Sequence, residues 1–234
     1  MLRSMEAPQA VVIVLAAGAG RRLGGTEPKA FLSIGGRPIL TVAAASAGAC
    51  PDVSSLVVAV PRGWEAAAVE ALDGLETPVS IVAGGASREV SVRAALTEVP
   101  ERAPVVVVHD AARPFASPDL FVRVIAAVRE GGDGAAPVVP VTDTVISVRA
   151  GVLAGVEPRD ELSLTQTPQA FRADPLRRAH AEAAASGVAF TDDATMLQWA
   201  GFEVRAVPGE PTNTKITTPA DLAEADRRIG GVRA

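Results

Sequence analysis

Apolar and polar positions in this chain alternate on the scale of whole elements. Val11 to Leu15 is a wholly apolar run. It is too short to span a membrane and too uniform for a half-exposed strand, so it predicts a parallel strand buried on both faces. Leu56–Val60, Val79–Val82 and Val105–Val108 repeat the pattern. Between them lie stretches of helical composition: Pro38 to Cys50, rich in alanine, Trp64 to Leu72, and Arg88 to Glu98, which is entered through Gly84-Gly85. Ser117-Pro118-Asp119 offers an N-cap followed by proline at the first helical position, Gly131-Gly132 closes that helix, and Ala135 to Val141 returns to the sheet. Strands alternating with helices predict an α/β fold. The expected architecture is a Rossmann-like, mostly parallel sheet flanked by helices, with ligands outside the strand C-termini.

From Asp143 to Pro168 the period changes to short alternating runs around Gly151 and Gly155, which predicts a protruding β-arm over 143–168. Val145, Val148, Val152, Leu153 and Val156 would leave that arm exposed and apolar, so pairing with a second subunit, giving a homodimer, is expected. Asp174-Pro175 opens a helix through Ala185, and Thr191-Asp192-Asp193 opens another through Ala200, where both acids are expected to serve the helix dipole. Phe202 to Val207 predicts the last strand. The polar loop Gly209 to Lys215 then leads into a capping box at Thr218–Asp221.

Composition narrows the partners. The 234 residues, 48% of them hydrophobic, predict a single domain with no second enzyme fused to it. A net charge of −5 argues against nucleic-acid binding. The lone Cys50 forbids an internal disulfide or a multi-cysteine metal site, which fits a reducing compartment. The apolar run near the start resembles a signal peptide only faintly, because Glu6 precedes it and Arg21-Arg22 follow. The expectation is therefore cytoplasmic, away from membranes, with Met1 to Gln9 a frayed leader.

The candidate chemistry begins where the first strand ends. Ala16, Ala17, Gly18, Ala19 and Gly20 carry almost no side chain, so backbone N–H groups can approach an anion closely. Arg21, Arg22 and Lys29 add positive charge, and Pro28 holds Glu27 extended ahead of Lys29. A P-loop is excluded because Thr26-Glu27 follows Gly25 where Lys and Ser or Thr belong. A dinucleotide fingerprint is excluded because Leu23 stands in place of its third glycine. The stretch predicts a different loop, one suited to a small polyphosphate.

Two more strand ends carry candidates. Backbone groups at Gly85 and Ala86, with the Ser91 hydroxyl, could read a pyrimidine edge and Arg88 could support a phosphate; the plainer alternative is a helix cap at Ser87. Asp110, directly after four valines and His109, could bind a divalent ion or a sugar hydroxyl, or simply cap a turn. His109 is open between a structural and an acid–base role, and His180 has no chemical neighbour in sequence. Thr144 and Arg159 flank the arm, where they could complete a neighbour's site or be plain surface residues, and the 209–215 loop could deliver Lys215.

Taken together, LAAGAGRRLGGTEPK, HDAARPF, Asp143-Thr144, TQTPQAF, TDDATMLQWAG and NTKITTPADL resemble, in order, the 2-C-methyl-D-erythritol 4-phosphate cytidylyltransferases over Val11 to Ala225. The resemblance implies transfer of CMP from CTP to a sugar-alcohol phosphate with Mg²⁺ present, in the non-mevalonate isoprenoid pathway. It implies Arg22, Lys29 and Lys215 as catalytic cations, and Ala16, Ala17, Gly18, Gly85, Ala86 and Ser91 as cytosine and ribose contacts. Asp110 and Ala111 fall on the ribose and substrate side, Arg113, Thr167 and Thr191 at substrate positions, and Thr144 and Arg159 across the dimer. Ala86 stands where relatives can carry an acid, and Gln166 also departs from the pattern. Two other readings remain: a ribitol-5-phosphate cytidylyltransferase, which shares the cradle and the TPQ segment, and a non-catalytic nucleotide-binding dimer.

Overall fold

The computed structural model describes residues 10–18, 20 and 27–231. The expectations for Met1–Gln9 and for Arg21 and Arg22 lie outside these residues.

The first strand, β1 (Ala10–Leu15), is flanked on both sides by parallel partners. Beyond the small hairpin of β2 (Ser33–Ile34) and β3 (Arg37–Pro38) and the helix α1 (Ile39–Gly48), the chain lays β4 (Val53–Val60) along one side of β1. The helix α2 (Glu65–Ala71) leads to β5 (Val79–Ala83), the outer neighbour of β4. After α3 (Arg88–Leu96) the chain crosses back, and β6 (Val105–Asp110) pairs with the opposite side of β1. The strand order therefore reverses between β1 and β6. Connections leave in opposite directions there, so a crevice opens beyond the two carboxyl ends.

Side-chain alternation explains why the runs are apolar throughout. Val12 and Val14 pack into the core with residues of α1 and of α4 (Pro118–Arg129), such as Leu40, Leu120 and Phe121. Val11 and Ile13 face the other way, against Val92 of α3, Leu176 of α5 (Ala173–Ser186) and Met196 of α6 (Asp193–Trp199). Both faces of β1 are buried, so neither can be polar.

The β-arm expected over 143–168 is not seen as one element. Only β8 (Ile146–Arg149) and β9 (Val152–Val156) form a separate two-stranded hairpin. Its turn residues Ala150 and Gly151 have φ of 48° and 79°, the positive pair of a type I′ hairpin turn. The later part of 143–168 returns to the main sheet. There β10 (Ser163–Thr165) runs antiparallel to β7 (Gly134–Pro140), and β11 (Gln169–Arg172) inserts antiparallel between β6 and β7. Short alternating runs identify strands but not their partners, and the open edges of β6 and β7 decide the pairing. On the other side of β7 lies β12 (Val204–Pro208), in parallel.

A satellite cluster of Ile34, Ile39, Ile216 and Ala225 ties the β2–β3 hairpin to α7 (Pro219–Gly230). The expected capping box is present, with Thr218 and Asp221 each accepting from the other's backbone. Asp221 also accepts from Thr217 N–H at 2.8 Å, so α7 braces the segment just after Lys215.

Candidate active site

The crevice beyond β1 and β6 holds a cavity of about 390 Å³. Its wall includes Ala16, Ala17 and Gly18 from the end of β1, Gly85 to Arg88 and Ser91 from the start of α3, Asp110 to Ala112 from the end of β6, and Lys29 and Lys215. Backbone register builds this juxtaposition. Leu15 stands opposite Asp110, Ala111 N–H donates to Leu15 O at 3.0 Å, and Ala16 N–H donates to Ala59 O at 2.8 Å.

Small residues are required here for close approach. A Cβ on Gly84 would come within 2.4 Å of Ala17 Cβ, so the α3 entry loop packs directly on the cradle. Gly20 has φ of +60°, and a Cβ there would lie 2.8 Å from Lys29 Cβ, so the cradle backbone fixes the root of the Lys29 side chain. The Ser91 hydroxyl accepts from Gly85 N–H at 3.1 Å and donates to Ser87 O at 2.9 Å. Ser87 is also the N-cap of α3, as the plainer sequence reading allows, and accepts from Val90 N–H. Ser91 therefore braces the glycine loop from within, taking up the Gly85 N–H and bonding back to Ser87 O.

Four charged groups are strung along the cavity wall. Lys29 Nζ donates to Ile216 O at 2.8 Å, one residue beyond Lys215. Lys215 Nζ lies 2.6 Å from Asp110 Oδ2, Asp110 Oδ1 lies 3.4 Å from Arg88 Nε, and Arg88 Nη1 reaches Asp193 Oδ2 at 2.7 Å. Burial pushes the Asp110 carboxyl up, but Arg88 and then Lys215 more than reverse that and hold it well below the usual carboxylate range. Burial likewise opposes the charge on Arg88, and Asp193 and Asp110 together keep it protonated. Asp110 is thus an anion whenever the protein is folded near neutrality.

His109 is resolved in favour of its structural role. Its Nε2 lies 3.1 Å from Arg113 O, and a carbonyl oxygen only accepts, so Nε2 carries the proton. Nδ1 then accepts from the Thr167 hydroxyl at 3.1 Å, and Thr167 Oγ1 accepts from Asp110 N–H at 3.0 Å. Burial pushes the His109 pKa down to about 4, so the ring is neutral at pH 7. This chain of bonds fixes the β6 terminus from behind.

The profile of the family described as 2-C-methyl-D-erythritol 4-phosphate cytidylyltransferase matches residues 10–230. The chain belongs to that family. It is a nucleotidyltransferase of the cytidylyltransferase kind. The chain is 43% identical over 223 residues to the 2-C-methyl-D-erythritol 4-phosphate cytidylyltransferase of Frankia casuarinae, covering 95% of this chain and 82% of the relative. It is 45% identical over 216 residues to that of Rhodococcus jostii, covering 92% of each. The crystal structure of 2-C-methyl-D-erythritol 4-phosphate cytidylyltransferase from Thermus thermophilus superposes with a TM-score of 0.79 at 37% identity, covering 94% of this chain and 98% of that one.

Within this cytidylyltransferase fold the expected residues separate into groups. Lys29, Lys215, Asp110, Ala111, Ala16, Ala17, Gly18, Gly85, Ala86, Arg88 and Ser91 all line the cavity, and Gly20 abuts Lys29. Arg22 lies outside the described residues. Arg113, Thr144, Arg159, Thr167 and Thr191 are not among the lining residues. Arg113 donates to Asn213 O and Thr165 O, Thr167 faces His109 and Asp110, Thr144 and Thr191 are exposed, and Arg159 donates to Thr142 O.

Sequence reasoning missed the support beneath the site. Gln166, buried at 5% exposure, donates to Glu210 O at 2.8 Å and accepts from Glu210 N–H at 3.0 Å. Asn213, fully buried, donates to Thr167 O at 2.9 Å. These bonds hold the loop that carries Lys215. Asp192 caps α6 and accepts from Gln169. Asp193 does more than serve the helix dipole, since it pairs with Arg88 and with His180 Nε2 at 2.8 Å. Two adjacent acids before a helix look like ordinary N-terminal charge, and only the fold brings Arg88 and His180 to the second.

Proposed function

We propose that the cavity transfers CMP from CTP to 2-C-methyl-D-erythritol 4-phosphate, releasing pyrophosphate, in isoprenoid biosynthesis. The observation that carries this reading is the placement of Lys29, Lys215 and Asp110 around one small-residue cradle at the strand-order reversal. A phosphate oxygen of the acceptor attacks the α-phosphorus of CTP. The new P–O bond forms as the bond between the α-phosphorus and the bridging oxygen breaks, and the electron pair leaves with pyrophosphate. The attacking group is already an anion, so positioned positive charge suffices and no strong general base is needed. Lys29 and Lys215, with Arg22 by family resemblance, take that role. Backbone at Ala16–Gly18 and Gly85–Ala86 faces the nucleotide.

The donor set fits Mg²⁺ only as an ion shared with substrate. Among the described residues no three acids, histidines or cysteines cluster to hold a metal, and Asp110 is the one carboxylate lining the cavity. Mg²⁺ commonly binds through one or two carboxylates plus phosphate oxygens and water. Asp110 would hold it, and the ion would supply charge neutralisation across the phosphates. No helix among the described residues is long and apolar enough to cross a membrane.

The β8–β9 hairpin supports a homodimer, since Val148, Val152, Leu153 and Val156 are each more than half exposed. Thr144 and Arg159 at its base would then serve the partner's acceptor site. Arg159→Ala is expected to raise KM for the acceptor phosphate while leaving CTP binding unchanged. Mixing Arg159→Ala subunits with Lys29→Ala subunits should restore part of the lost activity if sites are shared, and mixtures with only additive activity would refute sharing.

The direct test is pyrophosphate release with Mg²⁺ and CTP, offering methylerythritol 4-phosphate and ribitol 5-phosphate in parallel, with ATP, GTP and UTP as controls. Release with CTP and methylerythritol phosphate alone is expected. The family match does not favour ribitol phosphate, and release with it alone would overturn the acceptor.

A further inference from the structure

The first helical residue of α3 is Arg88, a cation at the positive end of a helix dipole. That placement is unfavourable by itself, so the position demands an anionic environment. Two carboxylates from distant parts of the chain provide it: Asp110 at the end of β6, and Asp193 in the first turn of α6. Asp193 is fully buried and its other oxygen accepts from His180 Nε2 on α5, itself 1% exposed. Lys215, Asp110, Arg88 and Asp193 therefore form a row of alternating charges running from the cavity into the interior. Four elements meet along it.

The geometry distributes Arg88 unequally. Its contact with Asp193 is short, 2.7 Å, and its contact with Asp110 is long, 3.4 Å, while Asp110 turns its other oxygen to Lys215 at 2.6 Å. Arg88 Nη2 is buried with no hydrogen-bond acceptor, and among the described residues the guanidinium's bonds are those to Asp193 and Asp110. Were Asp193 neutral, the whole charge of Arg88 would fall on Asp110. That would draw the carboxylate inward and away from Lys215, or release the guanidinium into the cavity, where it would compete for phosphate.

We propose that Asp193, although outside the cavity, is a positioning residue for nucleotidyl transfer. Acting through Arg88, it sets the place of the Asp110 carboxylate and thereby of the Lys215 ammonium. His180 orients Asp193 so that one oxygen stays directed at Arg88. Arg88 on this account holds a carboxylate and does not bind phosphate.

The inference rests on the cavity being the transfer site, and its test separates the two. Asp193→Asn removes the charge but can also lower stability, because it leaves a buried network partly unsatisfied. The double variant Asp193→Asn/Arg88→Met removes both charges and is expected to regain a melting midpoint close to wild type. If Asp193 only holds the fold, activity returns with stability, and that result would overturn the proposal. If it positions Asp110, the double variant is stable yet its kcat/KM remains about 10²-fold below wild type, the size of loss that a displacement of about an ångström produces. Asp193→Glu, which keeps the carboxylate, should recover more activity than Asp193→Asn. CTP affinity by titration calorimetry, expected to fall several-fold in the stable double variant, tests the clamp without any acceptor. A wild type that binds CTP but releases no pyrophosphate would thus refute the acceptor reading and leave the clamp to be judged on affinity; unchanged affinity would overturn it.

Discussion

Lys215→Ala is expected to lower CMP transfer by about 10²- to 10³-fold, the usual loss when one preorganised donor is taken from a charge-developing transition state. The melting curve should move little. Lys215 is 43% exposed and its anionic partner, Asp110, keeps Arg88 at 3.4 Å, so no buried charge is orphaned. The loss should appear mainly in kcat, because an interaction that strengthens as the α-phosphorus becomes five-coordinate is made chiefly in the transition state. Lys29→Ala should behave similarly, with one difference. Its ammonium also bonds to Ile216 O at 2.8 Å, so its removal loosens the loop that presents Lys215, and the two losses should combine less than additively. Near-normal turnover in a well-folded Lys215→Ala protein would refute its assignment.

Stability should decline by about 3 kcal/mol as pH falls from 6.5 towards 4, from His109 alone. Burial lowers the pKa of that ring to about 4 in the folded protein, against an ordinary value of 6.5. As pH falls, the unfolded chain therefore takes up the proton first, and acid favours unfolding across that window. Its contribution is complete above about 6.5 and gone near 4. The carboxyls of Asp110 and Asp193 lie below their ordinary range, so their share is lost only below the usual carboxylate pKa of 3.8. Urea midpoints at pH 7, 6 and 5, without divalent ions, would show the slope. His109→Asn should be less stable at pH 7, because the bonds to Thr167 and Arg113 change, but flatter with pH. Equal slopes in variant and wild type would exclude His109 as the cause.

The strands that bear the site were legible because burial on both faces leaves a run such as Val11–Leu15 no polar position. The Gly-rich turns after them were legible because close approach excludes side chains, as Gly84 against Ala17 shows. Antiparallel β11 was not, since four residues, Gln169–Arg172, carry no periodicity that names a partner. The true extent of the hairpin was hidden for the same reason. Local sequence also cannot show that Gln166, Asn213 and Asp193 are buried polar groups, because their partners lie 47, 46 and 105 residues away. Such groups matter through long-range hydrogen bonding that pattern reading does not reach.

The bond from Lys29 to Ile216 spans 187 residues. During synthesis at about 5 to 20 residues per second, that interval lasts about 10 to 40 seconds. The cradle emerges early and can join its strands long before the segment carrying Lys215 and α7 exists. Once β4 and β6 have followed, a nascent chain can present small backbone groups to a nucleotide while the second lysine, 105 residues beyond Asp110, is still to come. Catalytic competence is therefore one of the last properties the growing chain acquires.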